Sequence, residues 1–116
     1  MQNYISEIQN RIIKFRNERD WAKFHNPKDV ALSLSLEASE LLELFQWKDE
    51  VEQKKLVINK KDEISDELAD IFYWVMLMSH DLDIDILKAF DEKMIKNENK
   101  YPIEKFKGIS LKYNEK

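Results

Sequence analysis

Three observations predict an all-α fold: the 116-residue chain holds one glycine and two prolines, Leu, Ile, Lys and Glu abound, and apolar residues recur at three- and four-residue spacing. A strand-rich fold of this size needs many tight turns and the residues that make them. The expected architecture is a four-helix bundle in a single domain spanning residues 1–116, because a chain this short builds one core and not two. A tail from about residue 103, with Gly108 and Tyr113, has a composition that does not fix its order.

Composition excludes several classes. There is no cysteine, so disulfides, thiolate nucleophiles and zinc-thiolate sites are ruled out, which suits a reducing cytoplasm. Met1 to Arg16 alternates charged and apolar residues, and no apolar run reaches signal-peptide or membrane-spanning length. A soluble, cytoplasmic protein without a membrane partner is expected. The formal net charge is -4 with basic residues scattered among acidic ones, a poor basis for binding a nucleic-acid polymer.

The first helix is expected from about Asn3 to Arg19, with Ile5, Ile8, Ile12 and Phe15 at helical spacing and Arg11, Lys14 and Glu18 on its polar face. Trp21 to His25 breaks the pattern. Asn26-Pro27-Lys28-Asp29 then offers an N-cap, a proline at the first helical position and an acid at the third. The second helix runs on through Leu36, Leu41, Leu44 and Phe45 to Trp47, apolar around most of its circumference except at Glu37, Glu40 and Glu43. Such a helix must be covered on more than one side, and a second copy of the chain is the expected cover. Lys48 to Lys61 reads as a charged connection with a helical turn around Leu56 and Val57, and Asn59 as a cap for the next helix. The third helix, about Lys61 to Leu82, is acidic at its start, which suits the helix dipole, and apolar from Ile71 to Met78. Asp83-Ile84-Asp85 caps a fourth helix that continues to about Lys100 and is ended by Tyr101-Pro102.

Within these helices two acidic pairs stand out, Glu37-Ala38-Ser39-Glu40 and Glu67-Leu68-Ala69-Asp70. Residues three apart share a helix face, so each pair presents two carboxylates at one level. No lysine or arginine stands three or four positions from any of the four. Like charges at this spacing are destabilising, and a cation is the natural compensation. Two readings stay open on this pattern: a divalent metal site, and an acidic surface or subunit salt-bridge network. An all-oxygen donor set favours Mg²⁺ or Mn²⁺ over zinc, and neither His25 nor His80 completes the Glu-x-x-His motif of di-iron bundles. Magnesium at carboxylates commonly meets substrate phosphates, which makes attack of water on phosphorus the matching reaction class. Lys93 and Asn97 stand one turn apart on the fourth helix, with Lys100 a turn later, although solvated lysines are the ordinary reading of such residues. Trp21, Phe24, His25, Trp47 and Trp74 could stack a base, although each tryptophan alone is more often core.

Glu-x-x-Glu, 26 residues, then Glu-x-x-Asp resembles the signature of the MazG-like nucleoside triphosphate pyrophosphohydrolases. The runs Glu18-Arg19-Asp20-Trp21, Phe24-His25, Pro27, Leu36 to Leu41 and Leu44-Phe45-Gln46-Trp47, with Lys93-Met94, Asn97 and Tyr101-Pro102, are similar to the dCTP pyrophosphatase branch of that family. The resemblance covers roughly Ile8 to Pro102. It implies hydrolysis of a nucleoside triphosphate, dCTP or another deoxynucleotide, to the monophosphate and pyrophosphate, with Mg²⁺ held by Glu37, Glu40, Glu67 and Asp70. It further implies that Glu37 or Glu40 takes the proton of the attacking water. Lys93, Asn97, Lys100 and Tyr101 would contact phosphates, and Trp21, His25, Trp47 and Trp74 would surround the nucleoside. A dimer or a dimer of dimers, hence a homotetramer, is the implied assembly. Ile12 and Trp74 depart from that branch near the base, so the resemblance does not extend to the choice of base. The alternative is a non-enzymatic helical module whose acidic pairs bind a basic partner.

Overall fold

The computed structural model describes residues 4–108, and within them every regular element is helical. The chain divides into two compact units, Met1–Asp83 and Ile84–Lys116.

The first unit holds four α-helices. Helix α1 spans Tyr4–Glu18. At its end Asp20 adopts a left-handed backbone (φ 54°), and the Trp21 amide donates back to the Arg16 carbonyl at 3.1 Å. Aspartate tolerates this conformation better than most residues, and the reversal leads into a short 3₁₀ turn at Ala22–Phe24. Helix α2, Pro27–Phe45, starts as its sequence requires: the Asn26 side chain accepts from the Asp29 amide at 2.9 Å, and Pro27 occupies the first helical position, where no N–H is needed.

The charged connection expected from Lys48 to Lys61 is instead a third helix, α3, Glu50–Asn59. A capping box starts it: Asp49 accepts from the Glu52 amide at 2.8 Å, and Glu52 accepts from the Asp49 amide at 3.3 Å. The charged surface of α3 hides no broken backbone, because such a helix needs only caps and a few contacts to its neighbours. Helix α4 follows at Lys61–Asp81 with Lys60, not Asn59, at its N-cap and no side-chain cap bond. The first unit therefore contains one helix more than expected.

Val30 shares a cavity wall with Met78 and Leu82, whereas Glu37 meets Glu67 and Asp70, so α2 and α4 run antiparallel. Among the described residues, Ile12, Val30, Met76 and Leu77 are the buried apolar ones. Helix α1 is fixed to α4 by polar bonds as well: Gln9 donates to the Met76 carbonyl at 3.1 Å and to Ser79 Oγ at 3.0 Å, and buried Arg16 donates to both Asp81 oxygens at 2.7 and 3.1 Å.

In the second unit, α5 spans Ile86–Lys100, capped by Asp85, whose side chain accepts from the Lys88 amide at 3.1 Å. The tail, whose order the composition leaves open, begins with a helical turn, α6, at Ile103–Phe106, with the Tyr101 and Phe106 rings 5.1 Å apart. Tyr113 lies outside the described residues. No described helix is long and apolar enough to cross a membrane.

Candidate active site

Antiparallel packing of α2 on α4 brings the two acidic pairs together. Glu37, Glu67 and Asp70 each offer a carboxylate oxygen, and the three oxygens lie within 4.8 Å of one another. Glu40, one turn along α2, is exposed beside them and close enough to interact with Glu37 and Glu67.

This arrangement is costly as it stands. Burial, then a proton that can be shared with Glu40, then the charges of Glu40, Asp70 and Glu67 push the Glu37 carboxyl up to about 7. Burial and Glu40 also raise Glu67. One oxygen of each, Glu37 Oε2 and Glu67 Oε2, is buried without a hydrogen-bond partner. Orphaned, crowded carboxylate oxygens are what a divalent cation satisfies, and oxygens sharing one octahedral magnesium sit at most about 4.2 Å apart. The three oxygens need little adjustment to share an ion.

A cavity of about 610 Å³ adjoins the cluster and includes Glu37 and Asp70 in its wall. Helix α1 contributes Ile8, Arg11, Ile12 and Phe15, the chain reversal contributes Trp21, and α4 contributes Phe72, Tyr73 and Trp74. The rings brace one another edge to face: Phe15 meets Trp21 at 5.7 Å and Tyr73 at 6.2 Å, and Tyr73 meets Trp74 at 5.0 Å. Burial raises the Tyr73 phenol above its usual range, against the opposing charges of Arg16 and Arg19, so it stays a neutral hydroxyl.

Of the aromatic candidates, Trp21 and Trp74 line this cavity directly. His25 reaches it only through its ring contact with Trp74 at 5.5 Å, and itself lines a smaller cavity of about 390 Å³ with Arg16, His80 and Asp81. Burial, and next the Arg16 charge, lower its pKa against the pull of Asp81. Trp47 stands 84% exposed beyond the end of α2 and lines neither cavity. Lys93, Asn97 and Lys100 follow at i, i+4 and i+7 along α5, and the Tyr101 amide closes the helix on the Asn97 carbonyl at 2.9 Å. Arg11, Phe15, Phe72 and Tyr73 were not among the residues singled out from sequence. By spacing Ile8, Ile12 and Phe15 read as an ordinary core stripe, while the resemblance sets Ile12 near the base; all three line the cavity.

The model of the MazG-like family matches residues 32–115, a range that includes both acidic pairs. The chain is 31% identical over 113 residues to dCTP pyrophosphatase 1 of Rattus norvegicus and, to the same extent, to that of Homo sapiens, covering 96% of this chain. It spans 66% of the length of those relatives. The crystal structure of a pyrophosphatase from Archaeoglobus fulgidus DSM 4304 superposes with a TM-score of 0.83 at 35% identity, covering 88% of this chain and 95% of that one. Since the family match takes in the helices that build the carboxylate cluster, and a solved relative shares nearly the whole fold, this chain belongs to the MazG-like family.

Proposed function

We propose that the protein hydrolyses a deoxynucleoside triphosphate, dCTP or another dNTP, to the monophosphate and pyrophosphate with the help of Mg²⁺, in nucleotide-pool control or house-cleaning. The observation that carries this reading is the meeting of an uncompensated carboxylate cluster with an aromatic-walled cavity large enough for a nucleoside. Membership of the MazG-like family, the dCTP pyrophosphatases among the relatives and the archaeal pyrophosphatase support it.

Glu37, Glu67 and Asp70, with Glu40 beside them, are the residues that would hold the ion. A bound divalent cation would supply positive charge against the α-phosphate and relieve the repulsion within the cluster. The chain's own part is positional and protolytic. The rings of Trp21, Tyr73 and Trp74 hold the base, and their apolar faces keep bulk water from that end of the cavity. Glu37 or Glu40 accepts a proton from the water that attacks the α-phosphorus. A new P–O bond forms there, the bond to the oxygen bridging the β-phosphorus breaks, and pyrophosphate departs. The face of α5 that carries Lys93, Asn97 and Lys100, with Tyr101 at its end, is a match for a phosphate chain. Assembly as a dimer or dimer of dimers is part of the same reading, because α2 buries only Val30 and leaves Leu32, Leu36 and Leu42 more than half exposed.

The test is a substrate panel: each deoxynucleoside triphosphate with Mg²⁺, its products separated by anion exchange. Monophosphate and pyrophosphate in equal amounts are expected from at least one. Release of orthophosphate alone, or no turnover with any base, rejects the proposal.

A further inference from the structure

We infer that Arg11 helps select the nucleobase, donating from its guanidinium to two neighbouring acceptors on the base edge; this rests on the nucleotide reading of the cavity proposed above. Arg11 is the one cation among the described residues that line the cavity of about 610 Å³. Ile8, Arg11, Ile12 and Phe15 recur at helical spacing, so the wall supplied by α1 is an apolar stripe interrupted by a single guanidinium. The carboxylates of the same cavity come from other elements, Glu37 from α2 and Asp70 from α4. The phosphate chain belongs with those carboxylates and the cation they hold. The base is then left to the aromatic and α1 walls, where Arg11 is the charged donor. Among the described residues Arg11 makes no ion pair.

A guanidinium offers a fork of N–H donors and no acceptor. Two bases present neighbouring acceptors to such a fork: cytosine through O2 and N3, and guanine through O6 and N7. Adenine sets its amino group beside N1 and N7, and thymine sets N3–H between its two carbonyls, so on either base one arm of the fork meets a donor. The fork therefore favours cytosine and guanine nucleotides. The apolar part of the α1 wall makes no such distinction.

The experiment compares kcat and KM for the four deoxynucleoside triphosphates with wild type, Arg11→Leu and Arg11→Lys, and binding of the four monophosphates by quenching of tryptophan fluorescence. Arg11 is exposed, so both variants are expected to fold, with unchanged circular dichroism. A forked contact to a base edge is worth roughly 5- to 100-fold in discrimination, and the exposed position argues for the lower end. Arg11→Leu is expected to lower kcat/KM for dCTP and dGTP by about fivefold or more, mainly through KM, and to leave dATP and dTTP within about twofold. Arg11→Lys keeps the charge without the fork and should recover less than half of that loss. An equal loss with all four bases makes Arg11 a phosphate contact and overturns the inference. So does an unchanged ranking, or a wild type that prefers dATP or dTTP. If no triphosphate is hydrolysed, the proposed reaction fails, and the monophosphate ranking alone decides whether Arg11 reads the base.

Discussion

At the scale of single residues, the carboxylate cluster is a stability cost retained at a place where a cation would remove it. Helix propensity does not explain four acids at this spacing, and two buried oxygens lack partners. Asp70→Asn or Glu40→Gln should abolish measurable turnover while the far-ultraviolet dichroism stays the same. Loss of outer-shell groups at metal sites already costs about 10- to 100-fold, so a lost ligand should cost at least about 100-fold. Full activity in a Glu40→Ala variant would remove that residue from the site. The Glu37 carboxyl makes a second prediction, for the metal-free protein. Its folded pKa, about 7, lies above the ordinary value of 4.5, so between those values the folded state binds more protons than the unfolded one. The contribution to stability is therefore full below about 4.5 and is lost as pH rises through about 7. In EDTA, the Tm of wild type relative to Glu37→Gln should fall between pH 5 and pH 8. Mg²⁺ should raise the wild-type Tm more at pH 8 than at pH 5.5, because the ion competes with that proton. A difference that stays flat across this range contradicts the assignment. The spacing Glu37-x-x-Glu40 and Glu67-x-x-Asp70 made the cluster legible in sequence, because it needs only helical geometry and the absence of neighbouring bases. The cavity beside it was less legible, because nothing in the period of Ile8, Ile12 and Phe15 says whether a stripe meets a helix or an opening.

Among the elements, the attachment of α1 to α4 depends on a charge pair beside the Gln9 hydrogen bonds and the apolar contact. Burial pushes the Asp81 carboxyl up, but the bonds it accepts from Arg16 and His80 outweigh this and hold it below its usual range. Arg16 is 7% exposed, and its Nε and the His25 Nδ1 nearby lack partners. Removing one member of a buried pair leaves the other's desolvation uncompensated, a loss of up to about 3–5 kcal/mol. Asp81 keeps some exposure, so Arg16→Met should cost about 3 kcal/mol in urea denaturation, the lower end of that range. Adding Asp81→Leu should restore much of it. If Arg16→Met alone is neutral, the pair does not hold α1 in place. The start of α2 allows a smaller test: Asn26→Ala removes the acceptor for the Asp29 amide and should cost about 1 kcal/mol. That cap was readable from Asn26-Pro27. The helix at Glu50–Asn59 was legible only as a turn around Leu56 and Val57, since Val51, Leu56, Val57 and Ile58 form no stripe and its other residues are polar. Its signal was the Asp49-x-x-Glu52 capping box, a local device that survives where hydrophobic periodicity is absent.

For the whole molecule, the balance of buried and exposed apolar surface is what the proposed assembly rests on. Among the described residues, Ile12, Val30, Met76 and Leu77 are a small buried set beside the exposed apolar side chains. Leu32 and Leu36 lie one turn apart on α2 at 55% and 56% exposure, and Val51 and Ile58 of α3 are more exposed still. A lone chain would carry this surface into water at about 25 cal/mol per Å² of apolar area. A second copy, as proposed above, would cover it, and a two-fold interface would bring the same patch from both partners. Light scattering on the purified protein should therefore give a mass of at least twice 14.0 kDa at micromolar concentration. Leu36→Lys places a charge within this exposed patch, where a second copy would have to bury it. It should shift the mass toward 14.0 kDa while the helical dichroism remains. The intrinsic stability of one chain enters the same measurement: if assembly covers a face that the monomer needs covered, the Leu36→Lys protein will also show a Tm that no longer rises with protein concentration. A wild type that sediments as a monomer with a concentration-independent Tm would leave α2 with no need of a partner, and the oligomeric part of the proposed function would fall with it.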